Sequence, residues 1–216
     1  MSKYGYVGKE SDIPQQAFKA NAGVLNVNDH LALSQEDKLT QFGQLELIET
    51  ITLGTDTASI IFDEIQNTKY NVHLITYSNG VCDTSGQRLK LRFFESGVEE
   101  TASVYQYALQ NAGADIFTEA RSTGDDNIHL GANTQASGNS ADNGYIYIYN
   151  AGDTSKYTFT TQHLPSFYSV TTAFRCFFGS GVLPQTSNVD QFKIYASSGN
   201  IETGLVASLY GIKEYS

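Results

Sequence analysis

From about Gln44 to the C-terminus, apolar and polar residues alternate with a period of two, the mark of strands with one buried face. The pattern is clearest near the end. Between Val189 and Ala196, Phe192, Ile194 and Ala196 share one side and Gln191, Lys193 and Tyr195 the other, with Val189 out of step. A Ser197-Ser198-Gly199-Asn200 turn follows, and then a closing strand from Leu205 to Lys213. Further strands are predicted over Leu45 to Ile51, Ala58 to Phe62, Tyr70 to Tyr77, Arg88 to Phe94, Tyr145 to Tyr149, Lys156 to Thr161 and Ser169 to Phe178. Asn79-Gly80 is a strong turn signal. Val104 to Leu109 fits a strand or one short helix. Gly124 to Gly144, rich in Gly, Asn, Ser and Asp, predicts a long surface loop with one brief strand at Ile128-His129-Leu130. The nine or ten strands, their turn chemistry and the lack of a long amphipathic helix predict an all-β fold, a two-sheet antiparallel sandwich of jelly-roll type.

Residues 1–43 break the pattern. Their apolar residues are scattered, and one short helix is predicted from Ser34, where Ser34 and Asp37 loosely match a capping box. Such a segment buries little apolar area by itself. The expected division is therefore an N-terminal extended anchoring arm over 1–43 and a β-sandwich domain over 44–216, with no repeat of fixed period.

Composition changes the picture modestly. Only 17% of the 216 residues are charged, against about a quarter in an average soluble protein. There are 14 Tyr, 12 Phe and no Trp. The net charge of −10 argues against a nucleic-acid partner, which needs clustered cations. The one basic cluster, Arg88, Lys90 and Arg92, alternates with Leu89, Leu91 and Phe93 and so projects from one strand face. It reads either as a solvated face balanced by Glu95, Glu99 and Glu100, or as a docking stripe for an acidic partner. No segment approaches membrane-spanning length, so no membrane insertion is expected, and Met1-Ser2-Lys3-Tyr4 leads into no apolar run of a secretory leader.

Little catalytic chemistry is visible. Cys82 and Cys176 do not make a disulfide framework. Cys176 alternates with Phe174 and Phe178 and is expected to pack in the core. His30, His73, His129 and His163 lack partners at metal-ligand spacing and are expected on surface or half-buried strand positions. Asp125-Asp126, near Asp115 and Glu119, does not match a calcium loop, and solvated carboxylates are the expectation. Glu99-Glu100 and Asp63-Glu64 are adjacent pairs, which point to opposite faces of a strand and do not flank a bond. Neither enzyme activity, nor a metal, nor a cofactor is expected. The most suggestive surface feature is Tyr145, Tyr147 and Tyr149, alternating with Ile146 and Ile148. With the isoleucines inward the tyrosines form an outer stripe. With the opposite choice they pack inside the domain.

Three segments carry a resemblance. They are Tyr4-Gly5-Tyr6-Val7-Gly8 through Asn21-Ala22-Gly23-Val24 to Asp29; Ala58 to Phe62 with Tyr70 to Leu74 and Leu89 to Phe93; and Tyr195 to Asn200 with Ser208 to Lys213. In this order they resemble appendage (tail-fibre-like) structural proteins of marine tailed bacteriophages of the cyanophage type. The resemblance implies a non-enzymatic virion protein, assembled in the host cytoplasm and displayed on a tail or neck. Other virion proteins would hold it through the arm, it would form a homotrimer, and host surface polysaccharide would be a further partner. A capsid decoration protein and a polysaccharide-binding lectin or depolymerase are the alternatives on the same fold.

Overall fold

The computed structural model describes residues 44–134, 141–168 and 173–214. The arm, its helix from Ser34, His30 and the start of the strand expected at Ser169 lie outside the described residues. In chain order the strands are β1 (Leu45–Thr52), β2 (Ser59–Phe62), β3 (Val72–Gly80), β4 (Gln87–Glu95), β5 (Val98–Glu99), β6 (Tyr105–Gly113) and β7 (Phe117–Asp125). They continue with β8 (Ile128–Thr134), β9 (Asp142–Tyr149), β10 (Thr158–Tyr168), β11 (Ala173–Leu183), β12 (Val189–Ala196) and β13 (Val206–Ile212).

The fold is all-β, as predicted. Eight strands form one antiparallel sheet in the order β1-β13-β3-β9-β10-β11-β6-β7. A second sheet runs β2-β12-β4-β5, with β8 also paired to β4. Between the sheets, the small one contributes Phe62, Leu89, Leu91, Phe93, Phe192 and Ile194, and the large one Ile75, Ile146, Ile148, Leu164 and Leu209. Phe192 is the hinge of this packing. Its ring meets Phe93 at 5.8 Å and the His73 imidazole at 5.3 Å, both edge-on. Each such fully buried side chain contributes roughly 1.5–3 kcal/mol through the water it leaves.

Val189 is out of step because β12 carries a bulge, its register against β4 shifting between Val189 and Gln191. The turn after β12 does form, with Gly199 at φ 72° where a side chain would collide with Asp83. It joins two sheets rather than closing a hairpin, since β12 and β13 belong to different ones.

Of the two readings of Val104 to Leu109 the strand holds, from Tyr105 at the start of β6. Three expectations are corrected. Asn79-Gly80 is not a hairpin turn but the end of β3, where the register against β9 shifts between Tyr77 and Gly80. The predicted loop over Gly124 to Gly144 is largely β8 and the start of β9, and β7 precedes it unannounced. Gly124 and Asp125 close β7, an edge strand, which tolerates poor strand formers because one side needs no partner. Finally, the alternation of Phe174, Cys176 and Phe178 is real but faces outward. Phe174 is 52% and Phe178 40% exposed, while Arg175 and Phe177 are buried. Arg175 tolerates the interior because its guanidinium lies 3.8 Å over the Tyr168 ring and bonds Asp115 at 2.9 Å. Both cysteines are free thiols.

His73 also departs from expectation, for it is fully buried in β3. Its Nε2 lies 2.7 Å from the Ile65 carbonyl oxygen, which can only accept, so Nε2 carries the proton. Burial pushes its pKa below the ordinary histidine value.

Candidate interaction face

Antiparallel pairing fixes which side chains share a row across the large sheet. Ile146 and Ile148 are fully buried, so Tyr145, Tyr147 and Tyr149 point away from the core. One row across the sheet is Leu47, Tyr210, Leu74, Tyr147, Thr161, Ser180, Ala108 and Arg121. The row to one side is Leu45, Ile212, Val72, Tyr149, Phe159, Val182 and Gln106. The row to the other is Thr50, Ser208, Thr76, Tyr145, His163, Phe178, Gln110 and Glu119.

The rows hold an aromatic ladder. Tyr145 meets Tyr147 at 5.7 Å and Tyr147 stacks on Tyr149 at 6.3 Å. Tyr145 also meets His163 edge-on at 5.8 Å, and His163 meets Phe178 at 6.2 Å. Such pairs favour edge-on and offset geometries because ring edges are positive and faces negative. The ladder therefore holds its tyrosines in fixed orientations on the surface.

Charge is missing from this face. Among the described residues, the outward positions of β1, β13, β3, β9, β10, β11 and β6 include no Asp, Glu, Lys or Arg. The first charges occur on edge strand β7, at Glu119 and Arg121. Large apolar side chains stand exposed instead, Leu47 at 60% and Leu45 at 52% on one margin, with Phe159, Phe167 and Phe174 further across. Isolated exposed apolar residues are ordinary, whereas contiguous apolar patches are a recurrent feature of interaction sites in general.

The outer face of the small sheet is the opposite case. Arg88, Lys90 and Arg92 do project together from β4, half-buried. Arg92 is committed: it pairs with Glu99 at 3.0 Å and with Asp126, and lies 4.8 Å over the Tyr195 ring. Lys193 on β12 reaches the same Glu99 at 2.7 Å and also covers Tyr195. Burial pulls the Glu99 carboxyl up, but these two cations outweigh it and hold its pKa below the ordinary value. Of the three predicted counter-charges only Glu99 serves the stripe. Glu95 turns to Ser187 and Glu100 accepts the Ala102 N–H. The partner missed by sequence is Asp126, which the fold brings over from the β7–β8 turn. Asp125 and Asp126 are thus hydrogen-bonded as well as partly solvated.

Arg88 donates to Nδ1 of His129 at 3.2 Å, and Lys90 stands opposite His129 across β4 and β8. The Tyr107 hydroxyl lies 3.2 Å from the same Nδ1 and donates to Asp125 at 3.1 Å. Burial and the Arg88 guanidinium push His129 down to about 4. Burial and the Asp125 carboxylate push the Tyr107 phenol up to about 12. Both groups are therefore neutral near pH 7 and act as hydrogen-bonding links. No group of three or more His, Cys, Asp or Glu among the described residues is placed to hold a metal ion.

Sequence reasoning located the tyrosines and the cations and placed both correctly on strand faces. His163 is exposed on its strand, as expected, while Phe159, Phe174 and Phe178 were missed as outward aromatics. The signal was present, since Phe159, Thr161 and His163 alternate with Thr160 and Gln162. The polar residues Thr160 and Gln162 are the buried ones, held by a Gly181 N–H at 3.0 Å and the His129 carbonyl at 2.7 Å respectively.

Comparison with known families, with curated proteins and with solved structures finds no match to this chain.

Proposed function

We propose that this chain is a non-enzymatic structural protein of a tailed-bacteriophage virion, displayed as a fibre-like or adhesive appendage and assembled as a homo-oligomer. The observation that supports it is the uncharged aromatic face of the eight-stranded sheet. Copies of a protein of net charge −10 repel one another overall, and a face without charged side chains is one on which two copies meet with the least local repulsion.

The half of the face from β1 to β10 spans five strands at ~4.8 Å and strands of about eight residues at ~3.3 Å, or about 600 Å². Two copies would bury about 1,200 Å², the lower end of specific interfaces. Tyr147 sits on the fourth of these five strands, flanked by Leu74 and Thr161. The homotrimer, the virion location, the jelly-roll winding and attachment through residues 1–43 rest on the resemblance to phage appendage proteins. A capsid decoration protein would use the same face. Position and copy number in intact particles, read with a labelled antibody, test the virion role. Label at tail or neck is expected, label over the whole capsid favours decoration, and no label on purified particles overturns the reading.

A further inference from the structure

Toward the far margin of the same face, two to three strands from Tyr147, the surface drops into a trough. Its floor is Ser180 and Ala108, the two smallest side chains of their row. The main hollow, about 710 Å³, is bounded by Phe159 and Val182 on one side and by Arg121 on the β7 side. A smaller hollow of about 280 Å³ continues it past Gln110 to Phe178 and Glu119. Phe159 and Phe178 are 45% and 40% exposed and stand at its two ends. Four residues of strand rise separate their rows, so the rings lie ~13 Å apart along the strand direction.

The lining combines two chemistries, flat apolar rings and side-chain amides. Exposed phenyl faces offer flat apolar area, while Gln106 and Gln110 offer amides that both donate and accept. Arg121 adds donors, and its charge is offset by Glu119 at 3.4 Å. Near-neutral charge disfavours a phosphorylated or sulfated polymer. A sugar ring presents a C–H face beside hydroxyls that are donor and acceptor at once, and both parts find their match here.

We infer that this trough binds a neutral oligosaccharide, with ring faces resting on Phe159 and Phe178 and hydroxyls bonded by Gln106, Gln110 and Arg121. The inference deepens the adhesive reading above but does not require the oligomer, because, Phe159 on β10 apart, the trough is lined by β11, β6 and β7, outside the half that holds Tyr147. Few precisely placed polar groups on an apolar floor are what orient a small ligand.

The test is calorimetric titration of the full-length protein with neutral hexasaccharides of glucose, galactose and N-acetylglucosamine. At least one is expected to bind. Phe159→Ala and Arg121→Ala should each weaken that binding roughly tenfold, the loss of about 1.4 kcal/mol that one aromatic or charge-assisted contact supplies. Both side chains are exposed, so melting temperature should not move. Tyr147→Asp should leave sugar binding intact while changing assembly, which separates failure of this inference from failure of the oligomer. Absence of binding to all three sugars overturns it. So does binding that Phe159→Ala and Arg121→Ala leave unchanged, and so does binding of an apolar peptide with the sugars inert.

Discussion

Tyr145 and His163 stand directly opposite each other across β9 and β10, their ring centroids 5.8 Å apart and their planes 81° to one another. The pair links the tyrosine ladder to Phe178, so rings on three adjacent strands orient one another on a surface whose outward positions from β1 to β6 carry no Asp, Glu, Lys or Arg among the described residues. An ordered, uncharged aromatic face adds little to the stability of one copy. Its value lies in what it meets.

The core predicts a large penalty at one position. Phe192 is fully buried and touches both Phe93 and His73. Phe192→Ala removes the ring and leaves a cavity between the sheets, so unfolding in denaturant should show a loss of about 3–5 kcal/mol. A loss below about 1 kcal/mol would mean that the two sheets do not pack through this residue.

Gly211 on β13 predicts a loss of different origin. A methyl group there would lie 2.3 Å from the Tyr70 ring, which covers this glycine and hydrogen-bonds to Glu46. Gly211→Ala should destabilise by about 1–3 kcal/mol through overpacking, despite alanine's better backbone entropy. Tyr70→Leu should relieve part of that strain in the double variant, which chemical denaturation of all four proteins would reveal.

Acid should destabilise the fold in two separate windows. His129 has a folded pKa of about 4 against an unfolded value near 6.5, so the unfolded chain binds more protons between these values. Stability therefore falls as pH drops from about 6.5 to about 4, and His73, also depressed by burial, acts in the same direction. Glu46, held down to about 2 by Lys69 and Tyr70, contributes above its unfolded value and loses that contribution only as pH falls toward 2. His129→Gln should flatten the upper window and leave the lower one. NMR titration of wild-type His129 at an ordinary value near 6.5 would contradict the arrangement.

How far the sequence could be read follows from which forces are local. The alternation of Phe192, Ile194 and Ala196, and even the bulge at Val189, was legible because strand geometry assigns faces residue by residue. The cations of β4 and the tyrosines of β9 were placed on common faces for the same reason. Which face is inward was less accessible. In β11 it depends on Tyr168 and Asp115, which let Arg175 occupy the interior and turn Phe174, Cys176 and Phe178 out. In β10 it depends on Gly181 and His129, which satisfy Thr160 and Gln162. Those partners come from distant segments, and no local pattern announces them. The role of Asp126 as the counter-charge of Arg92 was hidden for the same reason.

Residues 1–43 and the sandwich should be separable. The described strands begin at Leu45, and the core draws on residues from 48 onward. A chain of residues 44–216 should give the circular dichroism of a β-protein and a cooperative melt, while failing to enter virions if the arm anchors it. Normal incorporation of the truncated chain would refute the anchoring role.

The central claim is that the outer face of the large sheet is where copies meet. Mass measurement in solution across a concentration series, with wild type beside Tyr147→Asp, tests it most directly. Wild type should exceed the 23.6 kDa of one chain and move toward it only on dilution. Tyr147→Asp places an unpaired charge in the shared face, at a cost of about 3–5 kcal/mol, and so should remain monomeric over the same range with its melting temperature little changed. A wild-type protein that stays at the mass of one chain throughout would contradict the account, as would a Tyr147→Asp variant that assembles as the wild type does.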